Sequence, residues 1–192
     1  MNIETARLVL RPMRLTDAPD LFEYQSNSDI VRYIPWPEGT AETVQSHIEK
    51  TLAKSSSSPK AEGDYLVLVW ELKSSGKVIG QSNLNVYSTE HNCAEIGWVT
   101  HQDFHRQGYA REASEAVLEY AFEVLDFHRV IAVMDTRTPA SAAVAASLGM
   151  RKEGEFKEVE FFKGAWCDMW TYAILKSEFE RPRQESNLRP RD

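Results

Sequence analysis

The sequence predicts an α+β fold in which helices pack against a mixed, mostly antiparallel sheet. Segments with the two-residue alternation of β-strands recur along the chain, and helical segments interrupt them singly or in small groups. The strand-like segments in the middle and at the end of the chain are joined by short turns, which makes them antiparallel neighbours. These observations favour a sheet built largely from hairpins and covered by helices.

The first part of the chain predicts one strand followed by two or three helices. Residues 7–12 alternate in polarity and end at a proline, as strands do. Thr16 and Asp17 are residues of the kind that cap helices, and a helix is expected to continue from them to Tyr24. A short helical turn is expected around residues 29–33.

A longer helix is predicted over residues 40–54, after Pro35-Trp36-Pro37 interrupts the chain. Its apolar side chains recur every four residues, which gives the helix one buried face. They are Val44, Ile48 and Leu52. Four serines and a proline follow over residues 55–59, where we expect a flexible connector, because the preceding segment is too small to fold alone.

Six further strands and two further helices are predicted. The strands are expected over residues 65–72, 77–86, 93–99, 129–134, 157–162 and 167–175. The helices are expected over residues 108–125 and 139–148, with Gly149 as a left-handed cap of the second. The turns Ser74-Ser75-Gly76 and Lys163-Gly164 close two hairpins.

Length and composition indicate one globular domain. The chain has 192 residues, of which 42% are hydrophobic and 27% are charged, as in soluble globular proteins. We expect the domain to occupy residues 1–180 and a disordered basic tail to follow over residues 181–192. The formal charge of −7 disfavours nucleic-acid binding and favours cationic substrates, although acidity also serves solubility.

Further features bear on location and on metal binding. The N-terminus shows no secretory signal, and no apolar run approaches the roughly 20 residues that span a bilayer, so we expect a cytoplasmic protein without membrane contact. Cys93 and Cys167 are expected to be buried thiols, although they could touch if their strands were neighbours. Three histidines between residues 91 and 105 lie near Cys93, but no fourth ligand has the usual spacing, so no metal is expected.

The stretch from residue 95 to residue 111 carries the strongest functional signal. A strand ends with Trp98 and Val99, a short polar turn follows, and a helix begins at Gly108. Free backbone N–H groups and the positive end of the helix dipole converge at such a helix start and form an anion site. A strand end beside an anion site suits a ligand with a long pantetheine-like arm and a pyrophosphate, and so predicts a CoA ester.

Six segments share their order and spacing with one enzyme superfamily. They are Arg7-Leu8-Val9-Leu10-Arg11-Pro12, Glu95-Ile96-Gly97-Trp98-Val99, Gln107-Gly108-Tyr109-Ala110-Arg111-Glu112-Ala113, Ser141, Ser147-Leu148-Gly149-Met150 and Asp168. On these segments the chain resembles the GNAT superfamily of acyl-CoA-dependent N-acetyltransferases. More narrowly, it resembles the Rim-type branch, which acetylates the amino termini of ribosomal proteins. The resemblance implies the GNAT fold and acetyl-CoA as cosubstrate.

The resemblance also implies which residues hold coenzyme A. The family's phosphate loop, Q/R-x-x-G-x-G/A, corresponds here to His105-Arg106-Gln107-Gly108-Tyr109-Ala110, with histidine at the first position. Backbone N–H groups do most of the anion binding, so this change is expected to be tolerated. Gly108 lets the backbone approach the pyrophosphate, and Ala110 keeps the helix wall low. Arg106 or Arg111 adds a charge-assisted contact; the alternative is an ordinary helix cap with surface arginines.

The next helix start departs from the family pattern. Where the family carries Asn-x-x-Ser, this chain has Thr138-Pro139-Ala140-Ser141, and the Thr138 hydroxyl can make fewer hydrogen bonds to the pantetheine arm than an amide can. Many relatives place a tyrosine general acid one turn further on, where this chain has Ala145. We expect Ser141 to protonate or hydrogen-bond the departing sulfur; its alternative is to bond free backbone groups of its own helix.

Glu95 and Val99 are the candidates for the chemical step. An α-amino group has a pKa of about 8, so a carboxylate suffices to remove its proton. Glu95 lies on the strand that lines the groove and on the same side as Gly97 and Val99, although it could equally be a cross-strand charge partner. The N–H group of Val99 is expected to stabilise the oxyanion. Transfer is expected to be direct, within a ternary complex.

Three hypotheses about the acceptor follow from the sequence. The leading one is the α-amino group of a protein or peptide, and the first alternative is a small amine such as an amino acid, polyamine or antibiotic. The second alternative is a catalytically weak acyl-CoA-binding sensor, because the family's asparagine and tyrosine are missing. Several of six aromatic side chains are candidates for the wall of an acceptor groove, and core packing, which accounts for most aromatic residues in strands, is the alternative for each. They are Trp36, Phe161, Phe162, Trp166, Trp170 and Tyr172. A monomer and a homodimer are both compatible with the sequence.

Overall fold

The computed structural model describes residues 1–36 and 39–179, and one eight-stranded sheet organises them. The strands are β1 (Ile3–Glu4), β2 (Leu8–Arg11), β3 (Tyr65–Leu72), β4 (Val78–Ser88), β5 (Cys93–Thr100), β6 (Arg129–Asp135), β7 (Arg151–Phe162) and β8 (Ala165–Leu175). Their order across the sheet is β1-β2-β3-β4-β5-β6-β8-β7. Neighbouring strands are antiparallel except β5 and β6, which are parallel. The predicted mixed, mostly antiparallel sheet is confirmed.

Helices cover the sheet in the places that the sequence predicts. They are α1 (Ala18–Gln25), α2 (Ser28–Val31), α3 (Ala41–Lys54), α4 (Tyr109–Glu119) and α5 (Pro139–Ser147), and a helical turn covers residues 176–179. Thr40 caps α3 by accepting a hydrogen bond from the N–H group of Thr43. After α4 the chain continues as a π-helical turn, Tyr120–Val124, which replaces the expected end of the α-helix.

The sequence did not predict β1, and the boundaries of the other strands differ from the expected ones mainly at β7. This strand begins at Arg151 rather than at residue 157. Its first half is charged and exposed on both faces, so no alternation of polar and apolar residues marks it. The expected domain end at residue 180 remains a prediction, and Pro37 and the expected tail over 181–192 lie outside the described residues.

Each face of the sheet has its own apolar core. One core lies under α4 and α5 and includes the fully buried Trp70 and Phe122. The other core lies under α1 and α3, around Tyr24 and Ile48. Strand β5 contributes even-numbered residues to the first core and Val99 to the second, because successive side chains of a strand face opposite sides. The central strand therefore presents a different set of side chains to each half of the molecule.

Two expectations about the helices are wrong. Leu52 of α3 is 47% exposed, and Thr51 takes the buried position with Val44 and Ile48. At 3.6 residues per turn, the position seven residues after Val44 returns to the buried face, whereas the position eight residues after it turns away. Asp17 precedes α1 but does not cap it with its side chain.

Asp17 instead forms the centre of a buried ion network. Its carboxylate accepts hydrogen bonds from both Nη atoms of Arg11 at 2.8 Å and from the N–H group of Arg14 at 2.7 Å. Arg11 also donates from Nε to Glu71 of β3 at 2.5 Å. Arg11 and Asp17 are 3% and 5% exposed, so each buried charge is compensated by the opposite charge of the other. The network ties β2 and β3 to the chain that enters α1.

The two cysteines are buried free thiols, as expected. Cys93 lies on β5 and Cys167 on β8, with β6 between the two strands, so the strands that carry them are not neighbours. Burial raises the pKa of Cys93. In the part of the chain that the structure describes, no helix is both long enough and apolar enough to cross a bilayer.

We expect Asp17→Ala to lower the free energy of unfolding by about 3 kcal/mol, because removing one partner leaves the Arg11 guanidinium buried without its counter-charge. Asp29→Ala is the control, since Asp29 pairs with Arg32 at the surface and its side chain is 81% exposed. Urea unfolding followed by circular dichroism measures both variants. Equal losses of stability would contradict the role given to the buried network.

Candidate active site

A gap in the middle of the sheet defines the candidate site. The parallel strands β5 and β6 pair only over residues 93–95 and 129–131. Beyond these residues both strands continue, β5 on β4 and β6 on β8, so their facing edges are unpaired. The gap opens a cleft of about 1770 Å³, and residues from both faces of the sheet line it. An unpaired strand edge offers backbone N–H and C=O groups that a ligand can satisfy.

The backbone of β5 directs alternate N–H groups into this gap. Just after the strand, the N–H group of His101 donates to the carbonyl oxygen of Ile79 at 2.8 Å, on the β4 side. Because hydrogen-bonded pairs alternate in an antiparallel ladder, Val99, two residues earlier, also points its N–H group toward β4. This corrects the oxyanion donor expected at Val99. The N–H groups of Trp98 and Thr100 face the gap instead.

The start of α4 forms one end of the cleft. Gly108 precedes the helix with φ 81°, a left-handed conformation that favours glycine. The N–H group of Glu112 donates to the Gly108 carbonyl oxygen at 3.0 Å as the helix begins, so the N–H groups of residues 109–111 are the open ones of the first turn. All three of these residues line the cleft. The helix start therefore has the geometry of an anion site.

Some residues of the loop before α4 line the cleft, and others hold the loop together. His105 lines the cleft, and its Nε2 lies 2.9 Å from the carbonyl oxygen of Thr100. Gln107, which was expected to contact the cofactor, does not line the cleft. Its side chain donates to the carbonyl oxygen of Asp103 at 2.9 Å and closes the loop from within.

Arg106 and Arg111 supply positive charge at this end of the cleft. Both side chains are exposed and line the cleft. Neither forms an ion pair with any residue that the structure describes, which leaves both guanidinium groups available to an anionic ligand. Arg106 has φ 60°, so the loop turns through a left-handed residue directly before Gln107 and Gly108.

Arg7 holds the loop in place from behind, a role that the sequence did not reveal. Its Nη1 donates to the carbonyl oxygen of Gln107 at 3.0 Å, and its Nε donates to Glu112 at 2.6 Å. The guanidinium also lies 4.0 Å from the centre of the Tyr109 ring. Burial would raise the pKa of Glu112, but hydrogen bonds from Thr5 and Arg7 outweigh it and lower that pKa. Arg7 belongs to the family motif at residues 7–12, but only the fold brings it to α4.

The start of α5 faces the same cleft from the β6 side. Thr138 precedes the helix, but its hydroxyl donates to the carbonyl oxygen of Asp135 at 2.6 Å and does not cap the helix. Its oxygen can still accept a hydrogen bond from a ligand. Ser141 also lines the cleft, and its hydroxyl has no hydrogen-bond partner within residues 1–36 and 39–179. The alternative expected for Ser141, a bond to its own helix, is not what the structure shows.

Glu95 lies at the point where the pairing of β5 and β6 ends. It stands opposite Asn85 on β4 and Ile131 on β6, so no basic residue is its cross-strand neighbour. Its side chain is partly buried and lines the cleft on the α1–α3 face, the face of Val99. Burial raises the pKa of Glu95, and the carboxylate of Glu160 raises it further. A partly desolvated carboxylate in a cleft is a candidate general base.

The cleft has an aromatic lining, but mostly through residues other than those expected. Of the six aromatic residues expected near an acceptor groove, only Trp36 lines the cleft. Other aromatic residues that line it are Tyr33, Tyr65, Tyr87, Trp98, Phe104, Tyr109 and Phe156. His47 packs against Trp36 with 5.8 Å between ring centroids, and burial lowers the pKa of His47. Among the described residues, no three His, Cys, Asp or Glu side chains are grouped so that they could hold a metal ion.

Comparison with known proteins finds relatives over nearly the whole chain. The family model of the acetyltransferase (GNAT) domain matches residues 7–151. The uncharacterised N-acetyltransferase YnaD of Bacillus subtilis is 34% identical over 179 residues, which make up 93% of this chain and 99% of YnaD. A solved acetyltransferase of the GNAT family from Bacillus anthracis is 32% identical, with a TM-score of 0.82 over 93% of this chain and 100% of that one. The fold expected from the resemblance is confirmed.

Two further solved structures share the fold at lower identity. Spermidine N-acetyltransferase of Vibrio cholerae, solved with CoA and spermine, is 20% identical with a TM-score of 0.75 over 91% of this chain and 99% of that one. RimL, a ribosomal α-N-protein acetyltransferase solved with coenzyme A, is 20% identical with a TM-score of 0.78 over 91% of this chain and 98% of that one. At these identities the likeness concerns the fold alone.

We expect Glu160→Gln to lower the pKa of Glu95, because removal of a neighbouring negative charge favours the ionised carboxylate. The pKa of Glu95 should stay above its ordinary value of about 4.3, since burial remains. A ¹³C NMR titration of the side-chain carboxyl carbons, assigned with Glu95→Gln, measures the shift. Glu115→Gln, at an exposed position of α4, serves as the control. A Glu95 titration that is the same in parent and Glu160→Gln would refute the proximity of the two carboxylates.

Proposed function

The chain belongs to the GNAT acetyltransferase family and is an N-acetyltransferase, and we propose that it transfers the acetyl group of acetyl-CoA to the α-amino group of a protein or peptide. One observation carries this proposal. A single strand, β5, presents a partly buried carboxylate at Glu95 and an unpaired edge beyond it, and its end leads into the anion site of α4. A base, a groove for the cosubstrate arm and a phosphate site thus follow one another along one element.

We place the cosubstrate along the edge of β5 and at the start of α4. The pantetheine arm carries amide groups that can pair with the gap-facing backbone of Trp98 and Thr100, as a further strand would. The diphosphate lies at the N–H groups of residues 109–111, where the helix dipole favours negative charge. Arg106 and Arg111 are placed to neutralise it, because both line the cleft at this end.

We assign Glu95 the role of general base. The acceptor arrives as an ammonium ion with a pKa of about 8, and Glu95 takes one proton from it, directly or through one water. The free electron pair of the nitrogen then attacks the carbonyl carbon of the thioester, and the carbonyl oxygen becomes an oxyanion. The raised pKa of Glu95 reduces the difference between base and amine, which favours the proton transfer.

We assign the rest of the reaction to backbone groups and to Ser141. The gap-facing N–H group of Trp98 or Thr100 donates to the oxyanion of the tetrahedral intermediate. When the intermediate collapses, the C–S bond breaks and the electron pair leaves with the sulfur. The attacking nitrogen gives up its second proton as the amide forms, and the Ser141 hydroxyl relays a proton to the thiolate and regains one from the nitrogen, since that hydroxyl is at the cleft and is not engaged elsewhere in the described chain. The N-acetylated acceptor and CoA are the products.

We infer the Rim-type acceptor, a polypeptide N-terminus, from the motifs that the chain shares with that branch and from the likeness to RimL. A polyamine is the second candidate. The adjacent carboxylates of Glu95 and Glu160 favour it, because they would attract an acceptor with more than one positive charge, and a spermidine acetyltransferase shares the fold.

Release of free thiol from acetyl-CoA tests the proposal with a panel of acceptors. The panel contains tetrapeptides that begin with serine or alanine, their N-acetylated controls, spermidine and free amino acids. We expect turnover with the peptides and none with their blocked forms. A higher kcat/KM for spermidine would establish the polyamine instead, and CoA binding without turnover of any acceptor would establish a sensor.

We expect Gly108→Trp to abolish measurable binding of CoA in calorimetry. A Cβ at Gly108 would lie 3.5 Å from Nη2 of Arg7, so a tryptophan there would disturb the contact by which Arg7 holds the loop. Because φ 81° also strains any L-residue, the backbone that receives the diphosphate would lose its shape. Gly76→Trp is the matched control, because Gly76 has φ 75°, lies in the β3–β4 turn and has open space around it. Both variants should lose similar stability, and only Gly108→Trp should lose CoA. Parent-like affinity in Gly108→Trp would refute the phosphate site.

We expect Glu95→Gln to lower kcat about a hundredfold near neutral pH, in keeping with the contribution of a positioned general base. The loss should shrink above pH 8, because the free amine is then already neutral. In the parent, kcat should fall as pH drops through the raised pKa of Glu95, and this acid limb should disappear in the variant. Glu90→Gln, on the exposed turn before β5, is the control. A variant whose pH profile overlays that of the parent would rule out Glu95 as the base.

A further inference from the structure

Strand β7 contains a bulge beside the acceptor half of the cleft. Phe156 of β7 pairs with Met169 of β8, and Glu160 pairs with Cys167. The three residues 157–159 between them therefore face the single residue Asp168 and form the bulge. Phe156, Val159 and Glu160 all line the cleft. In a regular strand, alternate residues share a face, and Val159 and Glu160 would point in opposite directions. The extra residues therefore change which side chains reach the acceptor.

Asp168 anchors this bulge by a hydrogen bond to its backbone and also pairs with the lysine at its start. Its Oδ1 accepts a hydrogen bond from the N–H group of Glu158 at 2.9 Å, and its Oδ2 lies 3.0 Å from Nζ of Lys157. The Glu158 hydrogen bond and then Lys157 lower the pKa of Asp168, so the carboxylate stays charged. Glu158 has φ 48°, in the left-handed region, where a residue with a side chain needs support from its surroundings.

The contacts of Asp168 also keep a positive charge out of the cleft. Lys157 is the first residue of the bulge, and its Nζ is held between Asp168 at 3.0 Å and Glu155 at 2.8 Å. Glu155 accepts a hydrogen bond from the indole of Trp170, whose side chain packs against the core under α4 and α5. Lys157 is thus drawn to the face opposite Glu95 and does not neutralise the carboxylates of the acceptor half.

We propose that Asp168 is a positioning residue that sets the shape and the charge of the acceptor half, and this proposal rests on the acetyl transfer proposed above. Asp168 does not itself line the cleft. It acts through the bulge, which places Val159 on the wall and the carboxylate of Glu160 near Glu95. By holding Lys157 away, it also preserves the negative charge that receives a cationic amine. Asp168 thus receives a role, although it takes no direct part in the acetyl transfer proposed above.

Asp168→Ala tests the proposal by steady-state kinetics, with whichever of a serine-initiated tetrapeptide and spermidine the parent acetylates faster. We expect KM for that acceptor to rise about tenfold, as when a charge-assisted positioning contact is lost, and KM for acetyl-CoA to stay within twofold. Asp168→Asn keeps an oxygen that accepts from Glu158 and should recover most of the acceptor affinity. Lys157→Met leaves that hydrogen bond intact and should resemble the parent.

A second readout does not depend on turnover. In Asp168→Ala, Glu160 moves away and Lys157 is released, and both changes lower the pKa of Glu95 in a ¹³C NMR titration. If the parent acetylates neither probe, the proposed function fails, whereas the titration still decides the role of Asp168. An unchanged Glu95 titration together with an unchanged acceptor KM overturns the proposal. An equal rise of both KM values also overturns it, because it would indicate general disruption.

Glu158→Pro keeps the proposal testable if Asp168→Ala does not fold. Proline removes the N–H group that donates to Asp168 and cannot adopt φ 48°, while Asp168 and Lys157 stay in place. Because Glu158 is exposed on an edge strand, we expect the variant to fold. It should raise the acceptor KM and lower the pKa of Glu95 as Asp168→Ala does. A folded Glu158→Pro with parental values of both would overturn the proposal.

Discussion

The end of pairing between β5 and β6 is the constraint on which the rest of the site depends. Three residue pairs hold the two strands together in parallel, and each strand then follows its other neighbour, β4 or β8, to its end. A sheet that opens in this way keeps its antiparallel ladders and loses pairing only along one line. Along that line it exposes backbone groups between two apolar cores, where a ligand gains more from hydrogen bonds than at an open surface.

The N-terminal segment stabilises this arrangement although it contributes no reacting group. Arg11 and Asp17 lock β2 and β3 to the chain before α1, next to the acceptor-side core. Arg7 reaches the loop and the first turn of α4, and contacts residues a hundred positions away in sequence. The four-residue strand β2 and the residue before it thereby support both halves of the cleft. This gives a physical reason for two arginines at these two positions, since guanidinium groups bind carboxylates and carbonyl groups in fixed geometry.

Charge is divided between the two ends of the cleft. The α4 end combines open N–H groups, the helix dipole and the guanidinium groups of Arg106 and Arg111. The other end holds Glu95 and Glu160, while nearby Lys157 is held on the opposite face by Glu155 and Asp168. A polyanionic cosubstrate and a cationic acceptor would therefore be sorted to opposite ends before any specific contact forms. The same division keeps the proton of the amine close to a carboxylate that can take it.

The sequence by itself determined the features that depend on neighbours along the chain: most of the strands and helices, the left-handed cap at Gly149 and the helix that begins after Gly108. Tertiary structure decided the features that depend on which strand lies beside which. It turned the N–H group of Val99 toward β4, drew Asp17 into a buried ion network and brought Glu160 near Glu95. Hydrogen-bond direction and charge proximity are set by partners distant in sequence, and no local pattern encodes them.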